Sequence, residues 1–281
     1  MTDETTSSGR TRVIDTGTDT VRVEVVDRVG VITLTRPGRR NALHPAMYTP
    51  MIEAVETFAD DPDVGCVVVT GEGSAFCAGG DVAGGGGSRR EGPRPSAAEQ
   101  AAALTARSRI SVVLRDAPIV SIAALNGAAV GAGLSIALAC DLRIAAASAS
   151  LVTGWARLGF SGDFGGPWLL ADLLGRGRAL DLIAGNARLD AAEAASIGLV
   201  HRVVPDDEFE PAWRSWARTF AHGPQPAIAL VKQNVANAGR LGLAEAVAVE
   251  AANMIECAAS ADHREGVRAW MEKRSPRFGA R

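Results

Sequence analysis

The sequence predicts an α/β fold, with a parallel-sheet core over residues 19–205 and a helical C-terminal region over residues 206–281. Short apolar and β-branched runs alternate with helical stretches between residues 64 and 149, a spacing that is typical of right-handed parallel crossovers. After residue 167 the pattern becomes mostly helical. Hydrophobic residues make up 47% of the 281 residues and charged residues 22%, so the chain can bury a sizeable core.

The N-terminal elements follow from composition and from proline positions. Residues 1–18 are rich in Thr, Ser, Asp and Gly, and we expect them to form a disordered tail. Two β-branched runs in "VRVEVVDRVGVITLTRP" predict a β-hairpin that ends at Pro37. A helix is predicted to begin near Pro45 and to end before Pro62. The apolar run "VGCVVVTG" at residues 64–71 is typical of a buried parallel strand.

A long glycine-rich stretch, "GEGSAFCAGGDVAGGGGSRREGPRPS", begins at residue 71. A loop of this length in a compact domain is usually functional, and residues 84–96 are predicted to be a mobile lid. A helix, a strand, a second helix and a second strand are then predicted at 96–117, 118–127, 128–140 and 141–149. One more strand is predicted at 198–204, and further helices at 167–175, 176–185, 190–197, 207–222, 224–238 and 242–272.

Charge and cysteine content argue against several classes of protein. The net charge of −3 carries no signature of nucleic-acid binding. The four cysteines (Cys66, Cys77, Cys140 and Cys257) form no C-x-x-C pair, so we expect neither a metal site nor a disulfide framework. The N-terminus shows no apolar stretch typical of a signal peptide, and no apolar run reaches the length of a membrane span. We therefore expect a cytoplasmic protein with no nucleic-acid or membrane partner.

Two glycine-rich segments, "FCAGGDV" at 76–82 and "NGAAVGAGLS" at 126–135, each follow a predicted strand. Backbone N–H groups at such loops and at a helix N-terminus are free donors, so two that converge would form an oxyanion hole. The alternative is that these glycines only permit tight turns and close packing. A dinucleotide-binding fingerprint fails because Phe76 replaces its third glycine, and a serine-hydrolase elbow fails because "GFSGD" ends in Asp163.

Asp163 lies in "LGFSGDFGG", among four glycines. Its carboxylate can cap the helix that is predicted near Pro167, form an Asx-turn or act in catalysis. The residue types alone leave these interpretations open.

Six segments together resemble the enoyl-CoA hydratase/isomerase (crotonase) superfamily in their order and spacing. They are "RPGRRNAL" (36–43), "GEGSAFCAGGDV" (71–82), "PIVSIAALNGAAVGAGLSIALACDLRIA" (118–145), "RLGFSGDFGG" (157–166), "AAEAASIGLVHRVVP" (191–205) and "WMEKRSPRFG" (270–279). The resemblance implies a ClpP/crotonase-like spiral of ββα units whose helical C-terminal region forms trimers or hexamers. It also implies an acyl-CoA thioester substrate, with no cofactor beyond the coenzyme A of that substrate.

The resemblance implies roles for individual residues as well. The oxyanion donors would be the backbone N–H groups of Gly80 and Ala132, and Ala132 replaces a glycine of many relatives without loss of the donor. Residues implied to lie around the adenine and pantetheine are Phe76, Ala78 and Asp81. Residues implied to bind the CoA phosphates are Arg39 or Arg40 and, from the C-terminal tail, Lys273. For these cations, a solvated surface is the alternative.

The chain departs from the superfamily at the two glutamates of typical hydratases. Ser135 and Trp155 stand at those positions, and neither side chain can act as acid or base at neutral pH. We expect both to belong to the substrate pocket. Asp163 instead matches the catalytic aspartate of dienoyl-CoA isomerases and of the isomerase of ring-epoxide phenylacetyl-CoA breakdown. The favoured activity is therefore double-bond isomerisation with Asp163 as proton shuttle.

Three alternatives stay open. One is enoyl-CoA hydration in which Asp163 replaces the two glutamates. Another is the chemistry of 4-chlorobenzoyl-CoA dehalogenase, whose tryptophan and aspartate match Trp155 and Asp163 but whose histidine is replaced by Ser108 here. The third is a non-catalytic protein that binds acyl-CoA.

Overall fold

A computed structural model describes residues 11–81 and 95–279 of the chain. The strands are β1 (Thr11–Ile14), β2 (Val21–Val26), β3 (Val29–Leu34), β4 (Cys66–Gly71), β5 (Ala75–Cys77), β6 (Val120–Leu125), β7 (Ala128–Val130), β8 (Leu142–Ala146), β9 (Ser150–Val152), β10 (Arg188–Asp190) and β11 (Arg202–Val204). The α-helices are α1 (Pro45–Asp60), α2 (Ala97–Asp116), α3 (Ala132–Ala139), α4 (Gly166–Leu174), α5 (Arg176–Ala184), α6 (Ala191–Ser196), α7 (Phe209–Ala221), α8 (Gln225–Asn237), α9 (Leu243–Ala259) and α10 (Ala261–Met271).

Seven strands form one sheet in the order β1-β2-β3-β4-β6-β8-β11. β1, β2 and β3 pair antiparallel, and the later neighbours pair parallel, with Val68 opposite both Val31 and Ile122. Residues 66–69 are completely buried, because parallel strands covered on both faces carry continuous apolar runs. The α/β class and the central parallel strands predicted from the sequence are confirmed.

Helices cover both faces of this sheet. One face packs against α1, α2 and α3, where Phe58, Ile110 and Leu134 belong to the same buried cluster as the strands. The other face packs against α7, through Trp213 and Trp216. Burial of these large side chains helps to hold the helices on the sheet.

A second, four-stranded sheet has the order β10-β9-β7-β5. The sequence does not predict this sheet, because strands of three residues are too short to show a two-residue alternation. This sheet also corrects the helix predicted over 128–140. Its first residues form β7, and Gly131, at a φ of 52°, turns the chain into α3.

Two further predictions are corrected by the structure, and two others are not tested by it. The tail predicted to be disordered over 1–18 is ordered from residue 11, because β1 pairs with β2; residues 1–10 lie outside the described residues. The helix predicted over 242–272 is two helices, since Ser260 is extended and its hydroxyl accepts the N–H of His263 at 3.0 Å to cap α10. Most of the predicted lid at 84–96 lies outside the described residues. The boundary at residues 205 and 206 stays a prediction.

An ion pair ties the C-terminal region to the core. Lys232 of α8 places its Nζ 2.7 Å from Asp141 Oδ2 and 3.1 Å from the carbonyl oxygen of Ile119. The same carboxylate oxygen accepts the backbone N–H and the hydroxyl of Ser121 at 2.8 and 2.9 Å. The pair is largely shielded from water, so its partners depend on each other.

The C-terminal helices expose large apolar side chains in the single chain. Val235, Leu243, Ile255 and Trp270 are each at least 70% exposed. Apolar surface of this extent is typical of association sites. Across residues 11–81 and 95–279, no helix is both long and apolar enough to cross a membrane.

Candidate active site

The first glycine segment is held beside residue 43 by two backbone hydrogen bonds. The Leu43 N–H donates to the Gly79 carbonyl oxygen at 2.8 Å, and the Asp81 N–H donates to the Leu43 carbonyl oxygen at 3.3 Å. In this parallel bridge the N–H of Gly80, the residue between them, points away from Leu43. It donates to no group in the described part of the chain, so it is available to a ligand.

The second glycine segment lies directly against the first. A Cβ atom on Gly79 would be 2.7 Å from the Val130 carbonyl oxygen and 3.6 Å from the Ala132 nitrogen. Only glycine permits this approach, and its φ of 84° requires glycine as well. The loops that carry Gly80 and Ala132 are therefore brought together, as the sequence predicts.

Ala132 is the first residue of α3, a helix whose eight residues are all buried. Its N–H has no partner within the helix, as at every helix N-terminus, and none among the other described residues. The positive end of the helix dipole lies at this N–H group. The pair of N–H groups can therefore stabilise a negatively charged oxygen.

Asp163 is fixed through both its side chain and its backbone. The indole Nε1–H of Trp155 donates to Asp163 Oδ1 at 2.8 Å. The Asp163 carbonyl oxygen accepts the hydroxyl of Ser135 and the N–H of Gly166, each at 2.9 Å. The carboxylate does not cap α4, whose N-cap is Gly165 and has no side-chain hydrogen bond. The helix-cap interpretation is therefore wrong.

The Trp155 indole also connects the carboxylate to the second glycine loop. Its Nε1 lies 2.8 Å from Asp163 Oδ1 and 3.6 Å from the position that a Cβ on Gly131 would occupy. Because both distances start at one atom, the carboxylate lies beside the loop that presents the Ala132 N–H. An acid–base group and an anion-stabilising donor are thus neighbours.

Burial sets the proton affinity of this carboxylate. Asp163 is partly removed from water, which raises the pKa of its carboxyl above the ordinary value, and the Trp155 hydrogen bond partly opposes that rise. A carboxyl with a raised pKa both accepts and returns a proton more readily near neutral pH.

Ser135 and Trp155 are both buried beside Asp163, and their place in the substrate pocket stays a prediction. Ser135 is completely buried, and Trp155 is only 4% exposed. A Cβ on Gly166 would lie 2.4 Å from Ser135 Oγ and 2.5 Å from Trp155 Cη2. Glycine at this position allows both side chains to pack beneath the Asp163 loop, where they position the aspartate.

The predicted adenine and pantetheine contacts differ in their placement. Phe76 is completely buried in the core, so the prediction that it lies against the ligand is wrong for its side chain. Ala78 is partly exposed and donates its N–H to the Arg40 carbonyl oxygen at 2.9 Å. Asp81 pairs with Arg36, whose Nη2 lies 3.0 Å from Asp81 Oδ2. This ion pair braces the first glycine loop.

The predicted phosphate-binding cations are all exposed. Arg39 and Arg40 follow each other in a turn beside the first glycine loop, with Arg40 in the left-handed region at a φ of 49°. Lys273 follows α10, and in the described part of the chain no contact joins it to the two arginines. Its assignment stays a prediction.

Sequence reasoning missed two residues near Asp163. Tyr48 of α1 stacks its ring against Phe164, the residue after Asp163, and Arg107 of α2 lies over the Tyr48 ring. They come from helices far apart in sequence, and no motif signals their meeting. In residues 11–81 and 95–279, no cluster of three metal-ligating side chains occurs.

The sequence profile of the enoyl-CoA hydratase/isomerase family matches residues 24–281. The chain belongs to this family. It is 37% identical to a probable enoyl-CoA hydratase of Rhodobacter capsulatus over 262 residues, and the aligned region covers 93% of this chain and 98% of that protein. It is 35% identical over 253 residues to the 1,2-epoxyphenylacetyl-CoA isomerase of Escherichia coli, over 89% of this chain and 95% of that protein.

Solved structures show the same fold. A putative enoyl-CoA hydratase from Streptomyces coelicolor superimposes with a TM-score of 0.87 at 31% identity, over 100% of both chains. An enoyl-CoA hydratase from Polaromonas gives a TM-score of 0.85 at 32% identity, over 92% of this chain and 99% of the other. The resemblance to the crotonase superfamily is confirmed, and the protein is an acyl-CoA enzyme of this family.

Proposed function

We propose that this enoyl-CoA hydratase/isomerase family member is a double-bond isomerase in which Asp163 is the proton shuttle. The observation that carries the proposal is the placement of one half-buried carboxylate, bonded by Trp155, beside the Ala132 loop. The carbon next to a thioester carbonyl loses a proton when the developing enolate oxygen is held. A carboxylate beside that carbon completes the requirement.

The proposed reaction needs one acid–base group. Asp163 removes a proton from the α-carbon of a 3-enoyl thioester, and the electron pair of that C–H bond moves into a dienolate. The negative charge on its oxygen is stabilised by the N–H groups of Gly80 and Ala132. The protonated Asp163 then returns the proton to the γ-carbon, and a 2-enoyl thioester forms with no change of mass. Coenzyme A is part of the substrate, and we propose no other cofactor.

Hydration is the second candidate, and the names of relatives favour it, since most of these proteins are described as hydratases. Adding water requires a base for the water and an acid for the carbon. The buried Ser135 and Trp155 occupy the places where typical hydratases carry glutamates, so Asp163 would have to serve both steps. The single carboxylate favours isomerisation.

We also propose that the active protein is a homotrimer or hexamer that buries the exposed apolar face of α8, α9 and α10. In such an assembly Lys273 would be free to approach a CoA phosphate of a neighbouring chain. Light scattering of the purified protein tests the assembly.

The first experiment is mass-resolved turnover of 2-enoyl-, 3-enoyl- and aryl-CoA thioesters with the parent protein and Asp163→Asn. Isobaric conversion of a 3-enoyl thioester that is lost in Asp163→Asn supports the isomerase. A gain of one water from a 2-enoyl thioester contradicts it and favours the hydratase. Binding without turnover in the parent favours a non-catalytic protein.

A pair of variants at one position tests the oxyanion donor. Proline is tolerated at the first position of a helix and replaces the N–H with a ring methylene, so Ala132→Pro should lower kcat by about two to three orders of magnitude. Ala132→Gly keeps the N–H and is the matched control. Equal activity of the two variants would contradict the assigned donor.

A further inference from the structure

Tyr48 is the only tyrosine of the chain, and it lies beside the proposed base. Its ring centroid is 5.9 Å from that of Phe164, the residue after Asp163, with the rings tilted by 30°. Tyr48 is partly buried and packs against the main core cluster. Its hydroxyl makes no hydrogen bond with any group in the described ranges. A partly buried aromatic ring thus carries an uncommitted polar group beside the residue that follows Asp163.

Arg107 supplies a charge at the same place. Its Cζ lies 5.6 Å from the centroid of the Tyr48 ring, within the range of a cation–π contact. Two other arginines of α2 are engaged, Arg109 with Glu56 and Arg115 with Asp172. Arg107 forms neither a hydrogen bond nor an ion pair within residues 11–81 and 95–279. Its guanidinium donors are therefore free for a ligand.

Burial keeps the phenol of Tyr48 protonated. Burial raises the pKa of Tyr48, Arg107 lowers it, and the charge of Asp163 raises it again. The Tyr48 ring thus lies between the residue that follows the base and the Arg107 guanidinium. At neutral pH the phenol is an O–H donor, and Arg107 adds further donors beside it.

We propose that Tyr48 and Arg107 determine acyl-group specificity by binding an oxygen on the acyl chain beyond the reacting carbons. This inference rests on the proposed function, because it takes the space beside Asp163 as the acyl site. Free O–H and guanidinium donors with no internal acceptor match a hydroxyl, ether, carbonyl or carboxylate oxygen. An unsubstituted alkyl chain that covers the partly buried Tyr48 hydroxyl would leave this donor unpaired, which costs affinity.

The test measures binding, so that it does not depend on turnover. The probes are saturated hexanoyl-CoA, the same thioester hydroxylated at each carbon beyond the β-carbon in turn, and adipoyl-CoA, titrated calorimetrically. The parent should bind at least one oxygenated thioester about tenfold or more tightly than hexanoyl-CoA. Tyr48→Phe, which keeps the ring, should remove the preference for the hydroxyl, and Arg107→Gln should remove any preference for the carboxylate.

Arg109→Gln is the matched control, because it removes an exposed arginine of the same helix that is paired elsewhere. It should bind every probe as the parent does. Equal affinity of the parent for all probes, or an oxygen preference that survives in both Tyr48→Phe and Arg107→Gln, overturns the inference. If the parent shows this oxygen preference but does not turn over any 3-enoyl thioester, the result would contradict the proposed function alone.

Discussion

Replacing Trp155 by phenylalanine tests whether one hydrogen bond sets the proton affinity of Asp163. The substitution removes the Nε1–H that donates to Asp163 Oδ1 at 2.8 Å and keeps an aromatic ring in the same space. Burial of the carboxylate remains, so the influence that raises the pKa of Asp163 is no longer opposed by that bond. We expect the pKa of Asp163 to rise further in Trp155→Phe.

The size of the effect follows from the kind of bond. A hydrogen bond to a charged group contributes about 1.5–3 kcal/mol, and about 1.4 kcal/mol corresponds to a tenfold change in an equilibrium constant. Proton affinity should therefore rise by about tenfold to a hundredfold. The proposed reaction requires the ionised carboxylate, so activity should be lost as pH falls through this pKa. The acid limb should move to higher pH by about one to two pH units.

The assay is the pH dependence of kcat/KM for a 3-enoyl thioester. Trp213→Phe is the control, because Trp213 is buried to the same degree on the opposite face of the sheet. It should lower stability without moving the acid limb. An acid limb of Trp155→Phe that stays in place or moves to lower pH would refute the assigned role of the indole.

Three further predictions concern stability, measured by chemical unfolding. Asp163→Asn should be more stable than the parent, by an amount that grows as pH rises above the ordinary carboxyl pKa of 3.8, because ionising a buried carboxyl with a raised pKa opposes folding; a gain that is larger at low pH would contradict this. Gly166→Ala should lower the free energy of unfolding by about 1–3 kcal/mol, because its Cβ would overlap neighbouring side chains. A Cβ on Gly177 would meet nothing within 4 Å, so Gly177→Ala should change the free energy of unfolding by less than about 1 kcal/mol. Similar losses in the two variants would contradict the expected overpacking at Gly166. Lys232→Met should lower the free energy of unfolding by about 3 kcal/mol, because it leaves the shielded Asp141 carboxylate without its cation. Lys273→Met, at an exposed position, should stay within about 0.5 kcal/mol of the parent. An equally small loss for Lys232→Met would show that the ion pair does not contribute to stability.

The parts of the fold that the sequence predicts are those with long, uniform patterns. β4 and β6 are six-residue strands buried almost throughout, and their apolar runs indicate buried parallel strands. The second sheet has three-residue strands whose pairing depends on partners distant in the chain. No local pattern encodes such partners, and the sheet was missed.

In the candidate site, too, the sequence predicts the features that have a local pattern and not those that depend on tertiary contacts. The two glycine loops and Asp163 are visible because their glycines and carboxylate are unusual where they stand in the sequence. The hydrogen bond from Trp155 to Asp163 spans eight residues of irregular backbone, for which no periodicity predicts side-chain direction. Burial of Ser135 is likewise a tertiary property, because it depends on how closely Gly166 allows α4 to approach.

Helix α3 positions both the proposed oxyanion donor and the loop of the proposed base. Ala132 presents its N–H at one end of the first turn, and Ser135, three residues later, holds the carbonyl oxygen of Asp163. The Ala132 N–H and the Asp163 backbone are therefore both positioned by one short helix. A displacement of the helix moves them together, and their separation is preserved. In the proposed reaction, this fixed separation would select which carbon loses its proton, counted in bonds from the thioester oxygen. The length of the acyl chain beyond that carbon would be selected by other parts of the molecule.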